Sequence, residues 1–329
     1  LIFLGSALTH LTGGSAGREG AALQIGGSLA AGLGRLLRLD QRNTNTIIQC
    51  GMAGLFSALF GTPVAAVVFS LEVINVGHFH YAALFPCLLS ALIAAGVPPL
   101  LGLPGERYVL SGAPDPTALP LLQCGVLAAG AAVLSILFCV LMHGAGRLYQ
   151  KRLPNPYLRV LAGAGLVILL TLLEGSGDYN GAGGRIIELA VEGQVHVPWA
   201  FVWKLLFTAL TLGAGFKGGE IVPTLFIGST FGCAAAPLLG LEPAFGAAIG
   251  MIALFCGVTN CPLASIFLAV ELFGGGALPF FALACALAFL LSGRYSLYSS
   301  QHLVYSKLEA QLDEQYKKDK EAEKECISC

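Results

Sequence analysis

The sequence predicts an all-α, polytopic membrane protein with internal repeats and with helices that are broken inside the membrane. Three observations predict this class. Hydrophobic residues make up 56% of the 329 residues and charged residues only 11%, whereas a soluble domain carries about 25% charged residues. Apolar segments follow one another with short breaks, and several are shorter than the roughly 20 residues that a span needs. The third observation is a sequence repeat between the two halves.

Each predicted helix corresponds to one apolar segment that is bounded by glycine, proline or charged residues. The short segments are expected to end at membrane depth, which is tolerated only where the backbone is buried in protein or lines a polar cavity. Interrupted segments in corresponding halves are typical of a transporter's binding site. The segments lie at residues 1–16, 20–34, 44–60, 63–76, 79–103, 118–145, 157–173, 199–215, 221–239, 243–258, 262–273 and 277–292.

The repeat relates Gly51–Ile74 to Gly250–Phe273 without gaps. Glu72 and Glu271 occupy equivalent positions near the ends of the two copies. We expect both carboxylates to lie at helix ends, where they cap neighbouring helices or reach water. A role for Glu72 in a proton path is the alternative.

A glycine-framed charged pair precedes one predicted helix in each half. Arg18 and Glu19 stand in G-R-E-G, and Lys217 and Glu220 stand in K-G-G-E. The start of a helix presents unpaired N–H groups and a partial charge of about +0.5, so it can bind an anion without a full positive charge. A carboxylate there can take the anion's place and leave it when protonated. We therefore expect Glu19 both to gate a pore and to carry a proton.

These charged pairs also have other interpretations. Arg18 and Glu19 could form an interfacial ion pair with no role in transport, although charged residues within membrane segments are functional by default. Glu220 is expected to pair with Lys217 or to be held aside by hydrogen bonds, and a loop carboxylate in a solvated vestibule is the alternative. Outside transport, an intramembrane enzyme is the main rival, but the sequence carries no H-E-x-x-H motif.

Three motifs resemble the CLC family of chloride channels and anion/proton antiporters, and the resemblance covers nearly all of residues 1–305. They are G-R-E-G, G-G-x-x-x-P in the second half and S-L-Y-S-S near the end. The resemblance implies inverted repeats, an external gating glutamate at Glu19 and a central tyrosine at Tyr298, for which Tyr295 is a close rival. The anion-binding residues that it implies are Arg18, Glu19, Gly20, Ala21, Glu220, Ile221, Val222 and Tyr298.

Departures from the family's patterns bear on the transported ion. The glycine motif that carries serine or asparagine is expected upstream of Leu1. Val73 stands where many chloride/proton antiporters have an internal proton-relay glutamate, and Glu220 resembles the fluoride/proton antiporter branch. Val222 departs from that branch, which typically has threonine there. The resemblance favours proton-coupled exchange of fluoride over chloride, with a passive, voltage-gated-type chloride channel as the alternative.

The expected domain organisation follows from the same features. Residues 1–305 form the transmembrane domain, with a first repeat over about 1–103 and a second over about 118–292. Residues 306–329 form a charged, solvated, helical tail. The expected partners are fluoride or chloride, protons, the lipid bilayer and a second copy of the chain, with no nucleic acid, metal or cofactor.

Clusters of basic residues predict the orientation of the chain. Cytoplasmic loops carry an excess of Lys and Arg, so these clusters and the C-terminus are expected on the cytoplasmic side of the cell membrane. The terminal pair Cys326 and Cys329 has no assigned role. The basic clusters are Arg35, Arg38 and Arg42; Arg147, Lys151, Arg152 and Arg159; and the lysines of the tail.

Overall fold

The computed structural model describes residues 1–103, 105, 107–110, 112–194 and 197–307, and these residues are mostly helical. Most of the predicted tail, including Cys326 and Cys329, lies outside the described residues. Two short strands pair in parallel. The elements are α1 (Ile2–Leu11), α2 (Glu19–Leu36), α3 (Gln41–Phe60), α4 (Pro63–Glu72), β1 (Asn75–Val76), α5 (Tyr81–Ala95), α6 (Val97–Leu100), α7 (Ala118–Arg152), α8 (Pro156–Glu174), α9 (Gly184–Val191), α10 (Ala200–Gly213), α11 (Ile221–Ala235), α12 (Pro243–Thr259), α13 (Pro262–Phe273), α14 (Leu278–Leu291) and β2 (His302–Leu303).

Helix lengths confirm the predicted mixture of full and broken spans. Within the described ranges, four helical stretches are long and apolar enough to cross a membrane: Tyr81–Leu100, Ala118–Arg152, Pro156–Glu174 and Ile221–Leu239. The other apolar helices, including α4, α12 and α13, have 10–17 residues. Since about 20 residues are needed for a span, these helices must begin or end at membrane depth.

The core of the molecule is centred on α11 and α12. Every residue of α12 from Ala244 to Thr259 is buried, and α11 is buried over most of its length. A helix that is hydrophobic on all sides belongs inside a large protein or a membrane domain, and the sequence of α12 has this character. The broken helices are therefore surrounded by protein, where their ends are tolerated.

The sequence repeat is also a structural repeat, because the same pair of glycines makes the helix crossing in each half. In the first half α2 crosses α3 at Gly26 and Gly51, and a Cβ on Gly26 would lie 2.9 Å from the carbonyl carbon of Gly51. In the second half α11 crosses α12 at Gly228 and Gly250, and a Cβ on Gly228 would lie 2.7 Å from the Cα of Met251. Small residues allow such close backbone approach in membrane helices.

Reciprocal helix caps join the two repeats. The Glu72 carboxylate at the end of α4 accepts hydrogen bonds from the N–H of Ala264 (3.0 Å) and of the residue before it, at the start of α13. The Glu271 carboxylate near the end of α13 accepts from the N–H of Ala65 (2.8 Å) and of the residue before it, at the start of α4. The C-terminal end of each helix contacts the N-terminal start of the other, so α4 and α13 are antiparallel. Because these helices are equivalent in the two repeats, the repeats are inverted. The expected capping role of both glutamates is confirmed.

Three local elements differ from the sequence prediction. Helix α1 ends at Leu11 rather than near residue 16, because Gly13 adopts a positive φ of 79°. Helix α9 was not predicted, since its eight residues include two charged side chains that interrupt the apolar pattern; its Ile187 is nevertheless buried. The strands β1 and β2 were also not predicted, because two-residue strands far apart in the chain leave no periodic signal.

Candidate anion-binding site

Two helix starts, one from each repeat, meet through a pair of backbone hydrogen bonds. The N–H of Gly17 donates to the carbonyl of Gly219 (2.7 Å), and the N–H of Gly219 donates to the carbonyl of Gly17 (2.6 Å). The two residues form an isolated antiparallel bridge. Glycine is required at this approach, because a Cβ on Gly219 would overlap the backbone nitrogen of Gly20. The bridge therefore brings the starts of α2 and α11 together.

Each helix start presents backbone donors beside this bridge. In α2 the first intrahelical hydrogen bond runs from the N–H of Ala22 to the carbonyl of Arg18 (3.0 Å). In α11 it runs from the N–H of Thr224 to the carbonyl of Glu220 (3.0 Å). The N–H groups that precede these bonds have no partner within their helices, and the dipoles of both helices favour negative charge at this point. The arrangement can bind an anion.

Glu19 is the first residue of α2 and is buried, with 3% of its surface exposed. Its Oε1 lies 3.7 Å from Nε of Arg18, whose side chain is 71% exposed. An exposed arginine gains little from an ion pair, so the pair does not account for the burial of Glu19. Burial at a helix N-terminus is the position expected for a carboxylate that takes the place of an anion.

Glu220 lies directly before α11 and lines a cavity of about 580 Å³ together with Gly20 and Tyr298. The expected pairing of Glu220 with Lys217 is wrong: among the described residues an ion pair within 4.0 Å joins Arg18 to Glu19, but none joins Lys217 to Glu220. Lys217 is exposed. Gly219, between the two residues, is held in the bridge to Gly17, so a base and an acid three positions apart before a helix need not face each other. Glu220 is instead half-buried in the wall of this cavity.

The remaining sequence-predicted residues divide between two cavities and the core. Arg18 and Ala21 line a second cavity of about 740 Å³, so the first turn of α2 contributes to both cavities. Ile221 and Val222 are buried at the start of α11. Gly20, Glu220 and Tyr298 share the first cavity, whereas Tyr295 does not line it. Because Tyr298 lines the same cavity as Glu220 and Tyr295 does not, Tyr298 is the better candidate for the central tyrosine.

A buried lysine near Glu19 was missed by the sequence analysis. Lys204 lies in α10 with none of its surface exposed, and its Nζ donates to the carbonyls of Tyr179 (3.1 Å) and Gly181 (2.7 Å). It also lies 5.1 Å from the ring centre of Phe226 and interacts electrostatically with Glu19. The available signal was a lone lysine inside an otherwise apolar segment, which marks a functional position in a membrane protein.

The sequence of the chain is similar to those of known proteins. A family model for the voltage gated chloride channel matches residues 1–293. A chloride/fluoride channel protein of Pseudomonas syringae pv. tomato is 36% identical over 326 residues, which are 96% of this chain and 71% of that protein. An H(+)/Cl(-) exchange transporter of Vibrio cholerae is 27% identical over 278 residues, which are 78% of this chain and 58% of that protein.

Solved structures share the fold. The crystal structure of a CLC-type fluoride/proton antiporter is 38% identical and has a TM-score of 0.89, over 92% of this chain and 76% of that chain. The crystal structure of a slow cyanobacterial Cl-/H+ antiporter has a TM-score of 0.72 over 85% of this chain and 69% of that chain; at 23% identity this likeness concerns the fold alone.

Proposed function

The chain belongs to the family of voltage gated chloride channels, the CLC family of channels and transporters, and on that premise we propose that it exchanges a halide anion for protons, with fluoride preferred over chloride. One observation carries the proposal. Two helix starts are held together at Gly17 and Gly219, and a buried carboxylate, Glu19, stands on one of them. A site of this kind holds an anion by backbone donors and admits it when the carboxylate takes up a proton.

Each residue has a distinct role in the proposed cycle. Glu19 is the gate and the proton carrier, and the N–H groups from Arg18 to Ala21 and from Glu220 to Val222 contact the anion. The hydroxyl of Tyr298 closes the site from the cytoplasmic side. The protein is a multi-pass membrane protein, as the members of its family are. We infer that it lies in the cell membrane with its C-terminus in the cytoplasm. Residues 1–305 are its transmembrane domain, with the repeats at about 1–103 and 118–292.

The preference for fluoride has two supports. The relatives that are 36% and 38% identical to the chain are named a chloride/fluoride channel protein and a fluoride/proton antiporter. Glu220 also lines the cavity that reaches Tyr298. A charged carboxylate there disfavours the binding of an anion, whereas a protonated carboxyl group does not. Fluoride is the smaller halide and the stronger hydrogen-bond acceptor, so a protonated carboxyl group would favour it over chloride.

A passive anion channel is the second candidate, and Val73 favours it. This residue lines the same cavity as Glu220 and Tyr298 and cannot carry a proton. The test is to reconstitute the full-length protein into liposomes, impose a fluoride or chloride gradient and record anion and proton movement together. Exchange predicts proton movement against its own gradient, driven by the anion. Anion flux without proton movement would favour the channel, and the absence of both would count against transport.

Replacing Glu220 by isoleucine should raise chloride flux relative to fluoride flux. A charged carboxylate repels an anion at 4 Å by about 4 kcal/mol when the effective dielectric constant is about 20, and a protonated one donates a hydrogen bond that favours fluoride. We expect the chloride-to-fluoride flux ratio to rise about tenfold, which corresponds to about 1.4 kcal/mol. Efflux of each ion from liposomes measures the ratio.

Glu220→Gln is the matched control, because it keeps a hydrogen-bond donor of the same shape without a charge. It should change the flux ratio less than Glu220→Ile does. If Glu220→Ile leaves both the fluxes and their ratio at the values of the parent protein, the carboxylate is a bystander.

The protein should form a homodimer through α4, α5, α13 and α14. Apolar side chains on this face are exposed, including Leu263 and Phe267 of α13. Lipid offers such helices no hydrophobic gain, so association depends on close packing. The pair Leu263→Trp and Phe267→Trp should convert the dimer to a monomer, which light scattering in mild detergent would detect as a halved protein mass.

The control for this dimer prediction places the same bulk on a different exposed face. Leu169→Trp with Leu172→Trp on α8 should leave the dimer intact. A parent protein that is strictly monomeric in mild detergent, or a dimer that survives the α13 changes, would contradict the assigned interface.

A further inference from the structure

The segment Ser292–Lys307 returns to the molecule after α14 and joins both repeats through one amide side chain. Nε2 of Gln301 donates hydrogen bonds to the carbonyl of Val73 (2.8 Å) and to the carbonyl of Thr259 (2.7 Å). Val73 directly follows α4 in the first repeat, and Thr259 ends α12 in the second. Gln301 therefore satisfies the free carbonyl ends of two broken helices at once.

A second amide side chain fixes the orientation of the first. Asn260 follows α12 in the left-handed conformation, with φ of 56°. Its Nδ2 donates to Oε1 of Gln301 (3.1 Å) and to the carbonyl of Tyr295 (3.0 Å). Both groups of the Gln301 amide are thereby satisfied, and Oδ1 of Asn260 is left to accept.

Lys307 completes this network. Its Nζ donates to Oδ1 of Asn260 (2.6 Å), to the carbonyl of Phe289 (2.7 Å) and to Oγ of Ser292 (3.0 Å), and it lies 4.2 Å from the ring centre of Phe289. An ammonium group has three donors, and these three acceptors use them all. The ends of α12 and α14 carry partial negative charge that favours a cation. Burial lowers the pKa of Lys307 to about 8, so the ammonium form prevails at neutral pH.

The same network holds the loop that carries Tyr298. The N–H of Gln301 donates to the carbonyl of Tyr298 (3.2 Å), and the N–H of Tyr298 donates to Oγ of Ser296 (3.1 Å). The N–H of Leu297 donates to the carbonyl of Val258 near the end of α12 (3.0 Å). Tyr298 and Gln301 both line the cavity that contains Glu220. The position of the Tyr298 side chain therefore depends on a loop whose far end is fastened by Lys307.

We propose that Lys307 is a positioning residue for transport: its bonds to Asn260 and to the end of α14 form a latch that holds the Tyr298 loop closed beneath the anion site. The proposal rests on the proposed function. The half-buried position of Lys307 differs from the solvated tail that the sequence predicts from residue 306. Without the ammonium, Asn260 loses a charged donor and Gln301 loses its fixed orientation. The loop then opens more often, and anions pass without a matching proton.

Lys307→Met tests the latch in the full-length protein, because it keeps most of the length of the side chain and removes all three donors. The first readout is the rate at which a small maleimide alkylates the native Cys261, as followed by peptide mass. Cys261 is buried and directly follows Asn260. Cys124 is buried in α7 and serves as the internal reference. We expect Cys261 to react about tenfold faster in Lys307→Met and Cys124 to react at the parent rate. Lys151→Met, at an exposed site near the end of α7, should change neither rate.

The second readout is the number of protons moved per anion in liposomes. It should fall at least twofold in Lys307→Met and recover in Lys307→Arg, which restores a charged donor. If the alkylation rates of Cys261 and Cys124 rise equally, the variant is destabilised in general and the proposal is overturned. The proposal is also overturned if the Cys261 rate, or the number of protons moved per anion, is the same as in the parent protein. If the parent itself moves no protons, the proposed exchange fails, whereas the alkylation rates still decide whether the latch exists.

Discussion

Glu19→Gln should abolish proton-coupled anion exchange and leave a passive anion flux. Glu19 is the buried first residue of α2, where the helix dipole favours negative charge. Glutamine has the shape of the protonated side chain but cannot release a proton, so the site stays open and the cycle loses its proton carrier. Positioned proton transfer contributes about 10²–10⁴-fold, and we expect anion-driven proton flux to fall by about 100-fold or more.

The measurement is simultaneous recording of fluoride efflux and proton movement in liposomes that contain the full-length protein. Glu188→Gln makes the same chemical change on an exposed part of α9 and should leave both fluxes at the parent values. A Glu19→Gln protein that keeps the parent's ratio of protons to anions would contradict the role of Glu19. Loss of both fluxes would assign Glu19 to the structure of the site rather than to the proton step.

The two halves of the candidate site could be predicted from the sequence because their signals are local. Glu19 and Glu220 each stand among glycines directly before an apolar helix, and that pattern has a physical reason within a few residues. The contact between the two halves has no such local signal. The bridge between Gly17 and Gly219 joins residues about 200 positions apart, and only the resemblance to a family with inverted repeats implied it.

Two lysines show where sequence patterns fail. Lys204 stands alone in an apolar helix, a pattern that marks function but was overlooked, and its distance from Glu19 along the chain concealed their proximity. Lys307 opens a charged run, which is normally a solvated face. Its partial burial depends on the return of the chain after α14 and on acceptors from Asn260, which follows α12, and from Phe289 of α14. Such long-range contacts have no local sequence signal.

Gly219→Ala should disable the anion site and lower the stability of the protein. A Cβ at this position would overlap the backbone nitrogen of Gly20 and lie 3.0 Å from its Cα, and backbone cannot move aside as a flexible side chain can. Forcing extra volume into a well-packed site costs about 1–3 kcal/mol. The two helix starts would separate and their N–H groups would no longer converge on one ion. We expect fluoride flux to fall by about tenfold or more, since each 1.4 kcal/mol is a factor of ten in rate.

Gly32→Ala is the matched control, because it adds the same methyl group to α2 at a glycine with no other group within 4 Å. Alanine in the middle of a helix is more favourable than glycine by about 0.5–1 kcal/mol, so this variant should keep the flux and unfold at the same or a slightly higher temperature. The two variants therefore have opposite expected effects on stability although the chemical change is identical. Thermal unfolding in detergent and fluoride efflux from liposomes measure both effects. If Gly219→Ala behaves like Gly32→Ala in both assays, the close approach of the two helix starts is not what holds the ion.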